Sequence, residues 1–203
     1  MTSVKPVIIL SLIVALISAL IIVVYNLTYV DTSGVLTDKQ SAAAVAIYGG
    51  AAEDYSVIPA DKWRGAMETA DSEFLKTNAS RITKLIKKND GSLAVEVVVK
   101  GYKDGYDILV GVKDGAVAGV SVVSTGEETP GLGTKTSDPA FLANFKGLST
   151  EAVIVKSEPA ADNEVQAVTS ATFSSKGVAN AVNIALEAAR CYNANVQNGG
   201  EAQ

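Results

Sequence analysis

The run VIILSLIVALISALIIVV, from Val7 to Val24, carries no charge and is almost wholly aliphatic; Tyr25 to Val30 extend it, with Tyr25 and Tyr29 at interfacial spacing. A helix needs about 20 such residues to cross the hydrocarbon core of a bilayer. The segment therefore predicts a single transmembrane helix over residues 7–30 and forces everything after it to fold as a separate unit. A cleaved signal peptide is the competing reading. The apolar run exceeds a usual signal core, no persuasive A-x-A cleavage site follows, and no lipobox cysteine is present, so a retained anchor is expected.

Charge at the flanks sets the expected orientation. Lys5 and the terminal amine precede the span, whereas the other flank begins with Asp31 and reaches no positive charge before Lys39. Positive charge favours the cytoplasmic side. Residues 1–6 are expected in the cytoplasm and the main domain outside the cell membrane. Ser11 and Ser18 lie within the span, where hydroxyls can bond to their own helix backbone. No acidic residue lies there, so the anchor offers no ion path of its own.

The chain has 203 residues, enough for one compact domain plus this appendage. Its net charge of -5 argues against nucleic acid, since phosphate binding needs clustered Lys and Arg and only Lys87-Lys88 forms even a short run. With no histidine, neither a Ser-His-Asp nor a Cys-His triad can be built, and a zinc site would lack its commonest nitrogen ligand. Cys191 is the only cysteine, which alone closes no internal disulfide and holds no iron-sulfur cluster. No catalytic or metal-binding residue is assigned. Any redox chemistry must come from a bound organic cofactor or a partner.

Behind the span, Thr37-Asp38 caps a helix through SAAAVAIY that stops at Gly49-Gly50, either a stalk or the first helix of the domain. A second helix is expected after Pro59, carrying Trp63, Met67 and Phe74 as core residues. ITKLIKK leads to Asn89-Asp90-Gly91, a hairpin turn, and LAVEVVV then alternates so that Leu93, Val95, Val97 and Val99 share one face. Lys103-Asp104-Gly105 and Lys113-Asp114-Gly115 mark two more turns around YDILVGV and AVAGVSVV. The pattern is an antiparallel meander. Gly126 to Phe141 reads as an ordered loop, Phe141 to Phe145 as a short helix, and Ala152 to Lys156 and Val165 to Val168 as strands. A final helix is expected from about Ser175 to Ala189, with Val178, Val182, Ala185, Leu186 and Ala189 in one stripe. The fold class is α+β, with residues 31–90 as stalk and first part of the domain, 91–190 as its core, and 191–203 as a tail in which NANVQNGGEAQ is expected to be mobile.

Val168 to Val182, VTSATFSSKGVANAV, gathers Thr169, Ser170, Thr172, Ser174 and Ser175 at the mouth of that last helix. A strand, a small-residue turn and a helix N-terminus can hold an anion. Equally, Ser174 or Ser175 can simply cap the helix, with Thr169 and Thr172 filling turn positions.

The TSATFSS run resembles the covalent flavin-attachment motif of the FMN-binding domain family, found in the G subunit of Rnf complexes and the C subunit of Nqr complexes. Gln166, Ala167, Val168, Thr169, Ser170, Ala171, Thr172, Phe173 and Ser174 map onto the motif, with Gln166 where an acidic residue is usual and Ser170 where Gly is usual. ETPGLG, Glu128 to Gly133, is similar to a loop near the flavin in the same family. The resemblance implies an antiparallel-sheet FMN-binding domain with flanking helices behind the anchor. It implies that Thr172 carries FMN through a phosphoester bond made by a separate magnesium-dependent flavin transferase with FAD as donor. Thr169, Ser170, Ala171, Ser174 and Ser175 would shape the phosphate site, and Glu128, Thr129 and Leu132 would contact the ring.

On this reading the chain is a membrane-anchored flavoprotein component that relays electrons within an ion-translocating ferredoxin:NAD oxidoreductase of the Rnf type. Its implied partners are the other membrane and peripheral subunits, the flavin transferase and membrane lipid. Two alternatives stand beside it: the C subunit of an Nqr-type NADH:quinone reductase, and a non-enzymatic extracytoplasmic binding or assembly module.

Overall fold

The structure is a computed structural model that describes residues 5–28 and 34–197. The chain divides into two units, Met1–Thr32 and Ser33–Gln203. The first is helix α1, Lys5–Thr28. Its stretch Pro6–Thr28 is long and apolar enough to cross a membrane. Ser11 donates to Val7 O at 2.9 Å and Thr28 to Val24 O at 2.7 Å, so these hydroxyls are satisfied within the helix. Ser18 makes no such bond among the described residues. The side chain of Lys5, together with Tyr29, Val30 and Asp31, lies outside the described residues.

The second unit begins with α2, Asp38–Tyr48, opened by a full capping box: Thr37 accepts from Gln40 N, and Gln40 accepts from Thr37 N at 2.9 Å. It is the first helix of the domain rather than a stalk. Five strands follow: β1 Tyr55–Ile58, β2 Ile82–Lys88, β3 Leu93–Val99, β4 Tyr106–Lys113 and β5 Ala116–Ser124. They form one antiparallel sheet in chain order, the meander its turns announce. Lys113 pairs with Ala116 across Asp114-Gly115, and both turn residues take positive φ, 51° and 78°. That is the conformation a two-residue hairpin demands and Asp-Gly supplies.

Between β1 and β2 the chain makes α3, Arg64–Glu68, and α4, Glu73–Asn78. One continuous helix from Pro59 is not what forms. Thr69 N closes α3 onto Gly65 O, and Ser72 opens α4 by accepting from Leu75 N at 3.2 Å, so two local stop and start signals outweigh the apolar spacing. Trp63 and Met67 are buried, as expected for core, whereas Phe74 is 41% exposed and is not part of it.

After β5 come a 3₁₀ segment, Gly133–Ser137, and the short helix α5, Pro139–Leu142. Then β6, Val153–Val155, and β7, Glu164–Gln166, pair in parallel, and α6 runs Thr172–Gln197. Helix α6 is longer at both ends than the sequence suggests. Nothing breaks it before Gly199-Gly200, so Cys191 to Gln197 continue it in place of a tail; residues 198–203 of that expected tail lie outside the described residues.

The sheet is covered on both faces. Leu93, Val95, Val97 and Val99 share a core with Val178, Val182, Ala185, Leu186 and Ala189 of α6. Ala94, Leu109 and Ile86, facing the other way, pack with Ala43 and Ala44 of α2. Each fully buried aliphatic side chain contributes about 1.5–3 kcal/mol, so the α6 face supplies most of the hydrophobic stabilisation. Glu96 also lies under α2, 2% exposed, and accepts from Gln40 Nε2 at 2.6 Å and Thr83 Oγ1 at 2.8 Å. Asn183 of α6 grips Ala152, the residue before β6, at both N (2.7 Å) and O (3.1 Å), which fixes the strand pair whose exit leads straight into the helix mouth.

Candidate functional site

Three separate pieces of chain meet at the start of α6: the turn between β3 and β4, the loop after β5, and the residues that link β7 to α6. Between them lies a pocket of about 220 Å³ lined by Tyr102, Glu128, Thr129, Leu132, Ala171, Phe173 and neighbours.

Its floor is a buried carboxyl. Glu128 is 4% exposed; Ser174 Oγ donates to its Oε2 at 2.7 Å and Lys103 N donates to its Oε1 at 3.0 Å. Gly101 and Gly133 flank that carboxyl so tightly that a Cβ on either would collide with its oxygens. Gly177 brings the helix itself close, since a Cβ there would stand 3.0 Å from Gly101 Cα and from Lys100 O. Glycine at all three positions leaves room for this close approach.

The linking turn is fixed from within. Ala171 N donates to Val168 O, Ser175 Oγ donates to Ala171 O at 3.0 Å, and Val168 N donates to Ser175 Oγ at 3.0 Å. Ser170 sits at φ 63°, the left-handed region that favours glycine. This geometry sorts the hydroxyls that the sequence brings together. Ser174 and Ser175 are buried and engaged with protein, one holding the loop after β5 and the other holding the turn. Thr129, Thr169, Ser170 and Thr172 make no side-chain hydrogen bond among the described residues. Thr172 is half-buried and is the first residue of α6. It stands between Ala171 and Phe173, both of which line the pocket.

The amides of Thr172, Phe173 and Ser174 find no acceptor among the described residues, as expected for a first helical turn. Next to them the pocket rim is apolar and uncovered: Phe173 is 69% exposed, Tyr102 60% and Leu132 39%. A ligand with an anionic end and a flat apolar body would have both ends served. Sequence reasoning finds Glu128, Leu132 and the hydroxyls but not Tyr102 or Phe173. Phe173 lies inside the motif; Tyr102 comes from a distant turn with no local signal.

The profile of the FMN-binding domain matches residues 101–187, which include every pocket residue named above. The G subunit of the proton-translocating ferredoxin:NAD(+) oxidoreductase complex of Clostridium ljungdahlii is 34% identical over 140 residues, covering 68% of this chain and 75% of that one. The chain belongs to the family of these G subunits. Its counterpart in the Na(+)-translocating complex of Acetobacterium woodii is 31% identical over 145 residues, 67% of each chain. The crystal structure of Shewanella oneidensis NqrC shares 24% identity at a TM-score of 0.47, covering 57% of this chain and 61% of that one.

In this member of the G-subunit family the residues present fit FMN. The free amides of the first α6 turn suit a phosphate, and Thr172 offers an uncommitted hydroxyl there. A pocket of about 220 Å³ is smaller than the usual ligand cavity of roughly 300–1,000 Å³, so a tricyclic ring would be only partly enclosed. Ser170, at φ 63°, takes a conformation that glycine adopts without strain.

Proposed function

We propose that this chain is the membrane-anchored electron-carrying subunit of an ion-translocating ferredoxin:NAD(+) oxidoreductase complex, with FMN esterified to Thr172. The observation that carries the reading is the position of Thr172: an uncommitted hydroxyl at a helix mouth, beside an apolar-rimmed pocket, within a segment matching the FMN-binding domain. When bound, FMN supplies a carrier able to take and release one or two electrons. The protein's own residues bind and orient it. The α6 amides hold the phosphate, Tyr102, Leu132 and Phe173 border the ring, and the Glu128–Ser174 bond fixes the floor.

Attachment needs outside help. The chain has no histidine, and a threonine hydroxyl without a base is a poor nucleophile. A separate flavin transferase would supply that base: Thr172 Oγ1 bonds to the FMN phosphorus of FAD, the bond to AMP breaks, and the hydroxyl proton passes to the transferase. The chain would sit in the cell membrane through α1, amino end in the cytoplasm and domain outside, with its partners the other subunits. The relatives couple to different ions, and α1 contains no Asp or Glu, so the ion path belongs to those other subunits.

Denaturing mass spectrometry of the full chain expressed with a competent transferase tests the reading. The expected result is an FMN phosphoester increment on the peptide containing Thr172. An unmodified chain, or a modified one in Thr172→Ala, would overturn it.

A further inference from the structure

One edge of the sheet lies outside the Thr172 pocket. Strand β5 ends the sheet, paired with β4 and, among the described residues, with no other strand. On its outer side only Val117 is satisfied, its N donating to Leu148 O and its O accepting from Gly147 N, both at 2.8 Å. From Ala118 to Ser124 the outward backbone groups have no backbone partner among the described residues. That stretch reads AGVSVVS, without a charge or a proline, whereas exposed sheet edges are normally guarded by both. Two register irregularities bend β5 against β4 but leave the strand continuous.

The edge runs along a groove of about 660 Å³, with Lys39 and Ile47 on one wall and Pro139, Leu142 and Lys146 on the other. An extended chain laid in this groove along the open edge would gain main-chain hydrogen bonds from β5. Among the described residues that line it, only two lysines are charged. Lys39 and Lys146 are exposed, and neither forms an ion pair among the described residues. Gln40, next to Lys39, reaches Glu96, which is level with Leu109 and Ser121; Gly147, next to Lys146, binds Val117. Lys146 therefore lies near the start of the strand and Lys39 nearer its middle, so both charges fall along the open edge.

We infer that β5 docks an extended, acidic segment of a partner subunit as a sixth strand between α2 and α5. A second copy fits poorly. Pairing two β5 edges would set two lysine-lined grooves against each other, and facing like charges oppose pairing. The inference rests on the assembly proposed above, but not on the flavin linkage.

The test places a photo-reactive benzophenone amino acid at Ala143, an exposed groove residue, in the full chain within its membrane-embedded complex. Cross-linked peptides and covalent flavin are read from the same sample. The expected cross-link joins one partner chain, at a segment holding Asp or Glu. Lys39→Glu with Lys146→Glu should lower its yield on the order of ten-fold, with covalent flavin and melting temperature unchanged. Cross-links to a second copy, to lipid alone or to nothing would overturn the inference, as would a yield indifferent to charge reversal. An intact cross-link on a chain without flavin would support docking and count against the flavin reading alone.

Discussion

Ser174 Oγ donates to Glu128 Oε2 at 2.7 Å, a buried bond that ties the first turn of α6 to the loop after β5 across 46 positions of sequence. Glu128→Ala would strand both Ser174 Oγ and Lys103 N. Leaving a buried polar group unpaired costs about 1–3 kcal/mol, and for a domain of this size each kcal/mol lowers Tm by roughly 2–4 °C. Calorimetry should find a loss of several degrees for Glu128→Ala and less for Glu128→Gln, which keeps an acceptor.

Thr172 carries no such structural duty. Thr172→Ala should leave Tm nearly unchanged, within about 0.5 kcal/mol of stability, while abolishing covalent flavin; Thr172→Ser should keep both. In-gel flavin fluorescence beside a thermal melt separates the two effects.

Gly177→Ala sets helix propensity against sterics. Alanine is worth about 1 kcal/mol more than glycine inside a helix. Here its Cβ would meet Gly101 Cα and Lys100 O at 3.0 Å, and backbone cannot step aside as a flexible side chain can. The clash should win, and the variant should unfold at lower denaturant than the parent by about 1–3 kcal/mol. A gain in stability would show that the β3–β4 turn yields.

Ser170→Gly removes the opposite kind of strain. At φ 63° a residue with a Cβ pays about 1–2 kcal/mol, so glycine should stabilise the folded domain by up to roughly that amount, less its own unfolded-state entropy. Urea titration reads it directly.

Asp107 makes stability depend on pH. Burial first, then the carboxylate of Glu96, push its carboxyl from 3.8 up to about 7, with Lys84 opposing. Its Oδ1 is buried without a hydrogen-bond partner among the described residues. Between those two values the folded chain keeps a proton that the unfolded chain has released, so stability falls as pH rises through that window. With Asp107 partly exposed, the loss is on the order of 1–2 kcal/mol. Melts at pH 5 and pH 8 should differ accordingly, and Asp107→Asn should narrow the gap by raising the pH 8 value.

Elements whose signals are local are legible in the sequence. The Thr37 cap, the three Asp-Gly-type turns and the stripe from Val178 to Ala189 each depend on residues within one helical turn or one hairpin of each other. The sequence places the start of α6 three residues late, because Thr172, Phe173 and Ser174 look like a turn until Ser174 is seen anchored to Glu128. Strand β1 has four residues, too few for a period to declare itself, and it exists because β2 offers it an edge. The site divides in the same way: its hydroxyls and ETPGLG are contiguous motifs, whereas Tyr102 arrives through the sheet's own connectivity.

The three close-packed glycines around the pocket floor have a consequence for what can be cut out of this protein. Residues 101, 133 and 177 lie in three separate stretches, and their close contacts form only when β3, β4 and α6 are all in place. A peptide of the TSATFSS run would keep the hydroxyl of Thr172 and lose every wall around it. The pocket cannot be transplanted as a tag; it has to travel with the whole domain.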